Sequence, residues 1–167
     1  MKRKFHLTAF LFSLSLSGAT FAQQDQTDPA ASANKLTLQF SPFTYHYSYD
    51  VEHRPVHMVG LEREKPGDKL DGVTFFTNSF GQDCVYVYPW GGVYHNFYGI
   101  QPLSFKWTAG LLYGYVDPYK NKVPLNHDGF SPGAIIAFEY KFQSGWSAQV
   151  DMLGTAALMF QVNMPLK

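Results

Sequence analysis

His46 stands between Tyr45 and Tyr47 in the stretch FSPFTYHYSYD, and Ser79 follows Asn78 in FFTNSF, 33 positions further on. A histidine within hydrogen-bond reach of a serine hydroxyl can act as a general base, or polarise that hydroxyl while an acyl group is transferred. Two residues are not a triad, and no Gly-x-Ser-x-Gly elbow occurs. The plainer reading of both is as polar rim residues facing water or lipid headgroups. His127 is a reserve base, and Asp117 and Asp128 are reserve carboxylates. A metal site built from His46, His53, His57 and Glu52 is disfavoured, because on extended chain His53 and His57 lie about 13 Å apart. No metal and no cofactor are expected.

Whether His46 and Ser79 meet depends on the elements that carry them. Eight stretches alternate apolar with polar residues: 36–48, 55–64, 70–80, 84–95, 103–115, 132–143, 146–152 and 156–164. In the sixth, Ala134, Ile136, Phe138, Tyr140 and Phe142 share one face, and Ile135, Ala137, Glu139 and Lys141 the other. The fifth and seventh have the same form. Nothing past residue 22 reaches 18 consecutive apolar residues, so spanning helices are excluded on length. The pattern predicts an all-β chain, an eight-stranded antiparallel up-and-down transmembrane β-barrel, closed because no backbone polar group may stay unpaired in hydrocarbon. A soluble β-sandwich or lipocalin-like barrel would show the same alternation. The high aromatic content, 17%, favours the membrane form, with Tyr86, Tyr88, Trp90, Tyr113 and Tyr115 as candidates for aromatic girdles.

The leader supports export. Lys2, Arg3 and Lys4 precede an apolar run from Phe5 to about Ala19, and Thr20 and Ala22 have the spacing for cleavage, placing a signal peptide over 1–22. Residues 23–35 form a polar lead-in, and 36–167 a single barrel domain. Removing those three cations from 13 basic residues leaves 10 against 13 acidic ones, with no polybasic tract, so nucleic acid is not an expected partner. Cys84 is alone, which rules out an intrachain disulfide.

With both termini on one side, the first, third, fifth and seventh strands end on a common rim. The connections there are about 49–54, 81–83, 116–131 and 153–155; those at the other end are about 65–69, 96–102 and 144–145. The longest falls on the rim that carries His46 and the Asn78/Ser79 pair, as outward loops do in this class.

FTYHYSYD, followed by HRP and VGLE and then by TNSF, resembles PagP, the family of outer-membrane lipid A palmitoyltransferases, over about Ser41 to Phe80. The resemblance implies an eight-stranded barrel in the outer membrane of a Gram-negative bacterium, acting as a monomer. It implies transfer of a palmitoyl-type chain from a phospholipid donor to lipid A. The family's histidine falls on His46 and its serine on Ser79, while its aspartate position holds Asn78, which would orient by hydrogen bonding alone. The family admits its acyl chain sideways where prolines weaken strand pairing, which makes Pro42, Pro89 and Pro132 candidates for a lateral gate; shape at strand ends and bulges is the alternative. It measures chain length in an apolar lumen, where Gly110, Gly114, Gly133 and Ala137 would leave room; relief of crowding in a narrow eight-stranded barrel is the alternative. Arg54, Lys120 and Lys122, with Asn126, would meet lipid A phosphates, or else form a solvated loop surface.

Overall fold

The computed structural model describes residues 34–166, so the signal segment and nearly all of the lead-in lie outside the described residues. Eight strands follow one another: β1 (Lys35–His46), β2 (Met58–Lys65), β3 (Lys69–Thr77), β4 (Asp83–Tyr94), β5 (Leu103–Tyr113), β6 (Phe130–Lys141), β7 (Ser147–Leu153) and β8 (Ala157–Leu166). Each pairs antiparallel with its sequence neighbour, and β1 pairs with β8 to close the barrel. The alternation located every strand to within about three residues, because a two-residue rhythm is the direct imprint of a sheet with different surroundings on its two faces.

The faces are those of a barrel turned inside out relative to a water-soluble one. On β6, Ala134, Ile136, Phe138 and Tyr140 point out, while Ser131, Gly133, Ile135, Ala137 and Glu139 point in. Phe40, Phe43, Phe75, Trp90 and Tyr94 are each about half exposed or more. The buried set is largely polar and includes Gln39, Glu62, Lys106, Gln149, Asp151 and Asn163.

Two irregularities change which residues face in. Between Phe40 and Phe43, β1 takes three steps while β8 takes two, from Val162 to Phe160. The extra residue is at Pro42, which cannot donate to the ladder. Gln39 and Ser41 point in before it; after it Phe43 and Tyr45 point out and His46 turns toward the lumen. In β4 the extra residue lies between Val87 and Trp90, at Pro89. Tyr86 and Tyr88 are buried inside before that point, whereas Trp90 is 66% exposed after it.

The girdle expectation is corrected accordingly. Trp90 and Tyr113 do face out, but Tyr86 and Tyr88 stack on each other in the lumen with centroids 5.2 Å apart. Tyr115 also lines the lumen, because Gly114 adopts φ 132 and rotates the chain after Tyr113.

Candidate functional site

The barrel ends differ in their connections. One end carries 47–57, 78–82, 114–129 and 154–156; the other carries 66–68, 95–102 and 142–146. At the first end His46 Nε2 and Ser79 Oγ are 3.0 Å apart. β1 delivers the histidine through the Pro42 bulge, and the turn after β3 delivers the serine. That turn is docked by the Arg54 amide, which donates to the Ser79 carbonyl at 2.8 Å.

Asn78 is 1% exposed and does not orient His46. Its Oδ1 accepts the Phe80 and Gln82 amides, each at 3.0 Å, and its Nδ2 donates to Gln82 Oε1 at 3.0 Å. Each of these three bonds goes into folding the turn that presents Ser79. What touches the His46 ring is His53, with centroids 4.4 Å apart. The column continues through Phe80, edge-on to His53 at 5.6 Å, and Tyr119, stacked on Phe80 at 4.3 Å. Lys122 Nζ sits 4.7 Å from the Phe80 centroid and 3.6 Å from Asp50. The Glu52 amide, donated to the Asp50 carboxylate at 3.0 Å, holds that carboxyl below its ordinary range, and Lys122 adds to the effect. An aromatic and ionic strap thus ties three connections together over the pair.

The other sequence candidates separate. Lys122 lines the cavity below, whereas Lys120 turns to Asp117 at 3.1 Å. Arg54 is exposed and packs its guanidinium beside Gly81. His127 is exposed and 3.6 Å from its own neighbour Asp128, so neither it nor Asp117 nor Asp128 serves the pair. Asn126 bridges its own loop, donating to the Tyr115 carbonyl at 2.8 Å.

His46 and Ser79 stand at the mouth of a cavity of about 460 Å³ running down the lumen. Met58, Phe76, Leu112, Leu153 and Met159 give its upper wall an apolar character. Its floor is a polar layer, and sequence reasoning missed that layer. Lys106 is bonded to Glu62 and donates to Gln149 Oε1 at 2.9 Å. Tyr88 donates to Glu62 at 3.3 Å, and Gln149 to Asp151 at 2.6 Å. The signal was present in the chain, since charges in mid-strand between apolar neighbours imply a partnered interior. Of the small inward residues, Gly133 and Ala137 line the cavity. The space at Gly110 is taken by the β4 bulge, that at Gly114 by Cys84, and that at Gly133 by the Tyr86 ring.

The three prolines also separate. The β1–β2 ladder ends at Ser41↔Met58, so Pro42 opens a stretch of β1 that pairs with β8 alone. The β6–β7 ladder begins only at Ile136↔Met152, so Pro132 lies in a stretch of β6 that pairs with β5 alone. Pro89 makes a bulge inside a β4–β5 ladder that resumes on both sides of it.

No family model, no curated protein and no solved structure matches the chain.

Proposed function

We propose that this chain is an outer-membrane acyltransferase of the kind its His46 and Ser79 motifs resemble, moving a palmitoyl-type chain from a phospholipid to lipid A. The observation that carries this reading is the 3.0 Å His46–Ser79 contact at the mouth of an apolar-walled lumen. A general base next to a hydroxyl is chemically useful only where a substrate can reach it, and here the lumen cavity of about 460 Å³ is lined by both members of the pair. His46 takes or polarises the hydroxyl proton, Ser79 Oγ takes part in the transfer or stabilises the developing oxyanion, and Lys122 neutralises phosphate above.

The outward apolar surface supports a membrane setting, because soluble monomers rarely expose so much of it. The half-paired stretches at Pro42 and Pro132 support entry of the acyl chain from the side. The polar layer at Glu62 and Lys106 supplies a floor that a hydrocarbon end would not cross, since uncovering a buried charge costs several kcal/mol.

Mass spectrometry of lipid A from an endotoxin-bearing host, with and without the protein, tests the reading. One added long acyl chain is expected, and no mass gain overturns it. The second reading is a lipid-binding barrel without turnover. It is favoured by one observation: Asn78 gives His46 no carboxylate. A bound acyl chain recovered with no product would establish it.

A further inference from the structure

At the end of the barrel away from His46, three ligand-type side chains converge. β2 supplies Glu64, the turn 66–68 supplies Asp68, and the chain leaving β4 supplies His95. Each offers an atom within 4.8 Å of the other two. His95 Nε2 lies 3.3 Å from Glu64 Oε1 and 3.9 Å from Asp68 Oδ1. An ion that holds nitrogen and oxygen donors at about 2.0–2.1 Å in tetrahedral geometry separates them by about 3.4 Å. The observed spacing brackets that value.

The three residues are held there by structure outside the cluster. The Val93 amide donates to the Asp68 carbonyl at 2.9 Å, which ties the turn to β4 two residues before His95. The Pro89 bulge has already turned Val93 inward, and His95 follows on the same parity. Across the imidazole, His95 Nδ1 lies 3.2 Å from Ser104 Oγ, and Ser104 is 7% exposed. Metal-binding histidines commonly donate their second ring N–H to an oxygen acceptor, a place the Ser104 hydroxyl can fill. When Nδ1 is the donor, Nε2 turns a lone pair on two carboxylates, an arrangement that calls for a cation between them. When Nε2 carries the proton instead, it donates to Glu64 and the group is an ordinary hydrogen-bonded pair. Lys35 Nζ reaches the same Glu64 oxygen at 2.7 Å and is therefore a competitor for one ligand atom. Glu64, His95 and Ser104 line a second cavity of about 320 Å³, which leaves room for a water ligand.

We propose that Glu64, Asp68 and His95 form a binding site for one divalent transition cation of the zinc class. One imidazole nitrogen and two carboxylates suit such an ion, with water in the fourth place; calcium takes six to eight oxygens. This site does not depend on the acyltransferase reading.

The test is calorimetric titration of zinc chloride into the folded barrel in detergent after washing with chelator, with heat-modifiable migration confirming the fold of each variant. One saturable equivalent is expected. His95→Gln and Asp68→Asn should each weaken it by roughly tenfold or more, and Ser104→Ala by about tenfold. Lys35→Ala should tighten it several-fold by removing the competing ammonium, which a merely structural cluster would not do. Asp68 has a 65% exposed side chain, so its variant folds whatever happens at His95. His53→Ala should leave the titration unchanged. Absence of saturable heat, or heat that survives both His95→Gln and Asp68→Asn, overturns the proposal and leaves a hydrogen-bonded His95–Glu64 pair.

Discussion

Two histidine–serine pairs occupy opposite ends of one lumen. His46 and Ser79 are 3.0 Å apart, and His95 and Ser104 are 3.2 Å apart. Each histidine lies beyond a proline bulge in its own strand, Pro42 in β1 and Pro89 in β4. The surroundings differ. His46 has no carboxylate but opens on apolar walls; His95 has two carboxylates, a lysine near them and a polar vestibule. Catalysis on a lipid chain needs space for that chain more than it needs a third polar residue, whereas ion binding needs converging charge and little space. On the two proposals, the same pair would therefore serve different chemistry at the two ends.

The sharpest way to break this comparison is to remove each pair in turn. His46→Ala or Ser79→Ala should lower acyl transfer by about a thousandfold, within the range expected for loss of a positioned base or its hydroxyl. His95→Gln and Ser104→Ala should leave transfer within about threefold, a change inside the noise of a tenfold step at 1.4 kcal/mol. Equal losses at both ends, read by lipid A mass spectrometry, would mean that the pairs are not distinguished by their cavities. Deleting Pro42 should come next, with a loss of about a hundredfold, because it removes the extra residue and with it the bulge that parts β1 from β2, closing the proposed side entry while His46 keeps its inward facing opposite Ala157. Retained transfer in a folded deletion variant would sink the side-entry argument.

A milder change probes the space itself. Ala137→Leu adds bulk to the cavity wall beside the polar layer and should shift the transferred chain toward shorter acyl groups, with total transfer falling about tenfold. An unchanged chain profile would show that the cavity is not where the chain lies. The smallest effect concerns Asn78. Asn78→Asp keeps the acceptor for the Phe80 and Gln82 amides and loses the donor to Gln82, so the folded barrel should lose about 1 kcal/mol, measured as a lower unfolding midpoint. Transfer should not rise by more than about threefold, since the side chain points into its own turn. A large rise would restore the carboxylate role that its position in the motif suggests.

Strand number, order and closure were legible in the chain because alternation reports two unlike surroundings directly. So was the shared rim of His46 and Ser79, since hairpin topology alone puts their strand ends at one end, whereas their contact depends on the Pro42 bulge and on the turn that Asn78 folds. Facing was not legible past a bulge. Tyr86, Tyr88 and Trp90 have the same parity in sequence, yet the first two are buried and the third is exposed, because Pro89 lies between them. The role of Asn78 was hidden for another reason. A motif position tells where a residue stands, while its hydrogen bonds are chosen by whichever partners the local turn supplies, here Phe80 and Gln82. Glu64, Asp68 and His95 come from two hairpin ends 31 positions apart at their widest, with no one-dimensional spacing to give them away.

From Phe43 to His46, β1 has no ladder partner except β8, where His46 stands opposite Ala157. These are the strands nearest the two ends of the described chain, so this contact forms only when first and last segments meet, the costliest loop to close. A sheet with all seven hairpins made but the seam open would hold Ser79 in its turn and leave His46 without a fixed direction. On the proposed acyltransferase reading, the hydroxyl would then wait unactivated until assembly is complete, and closure of the barrel would also be the step that arms it.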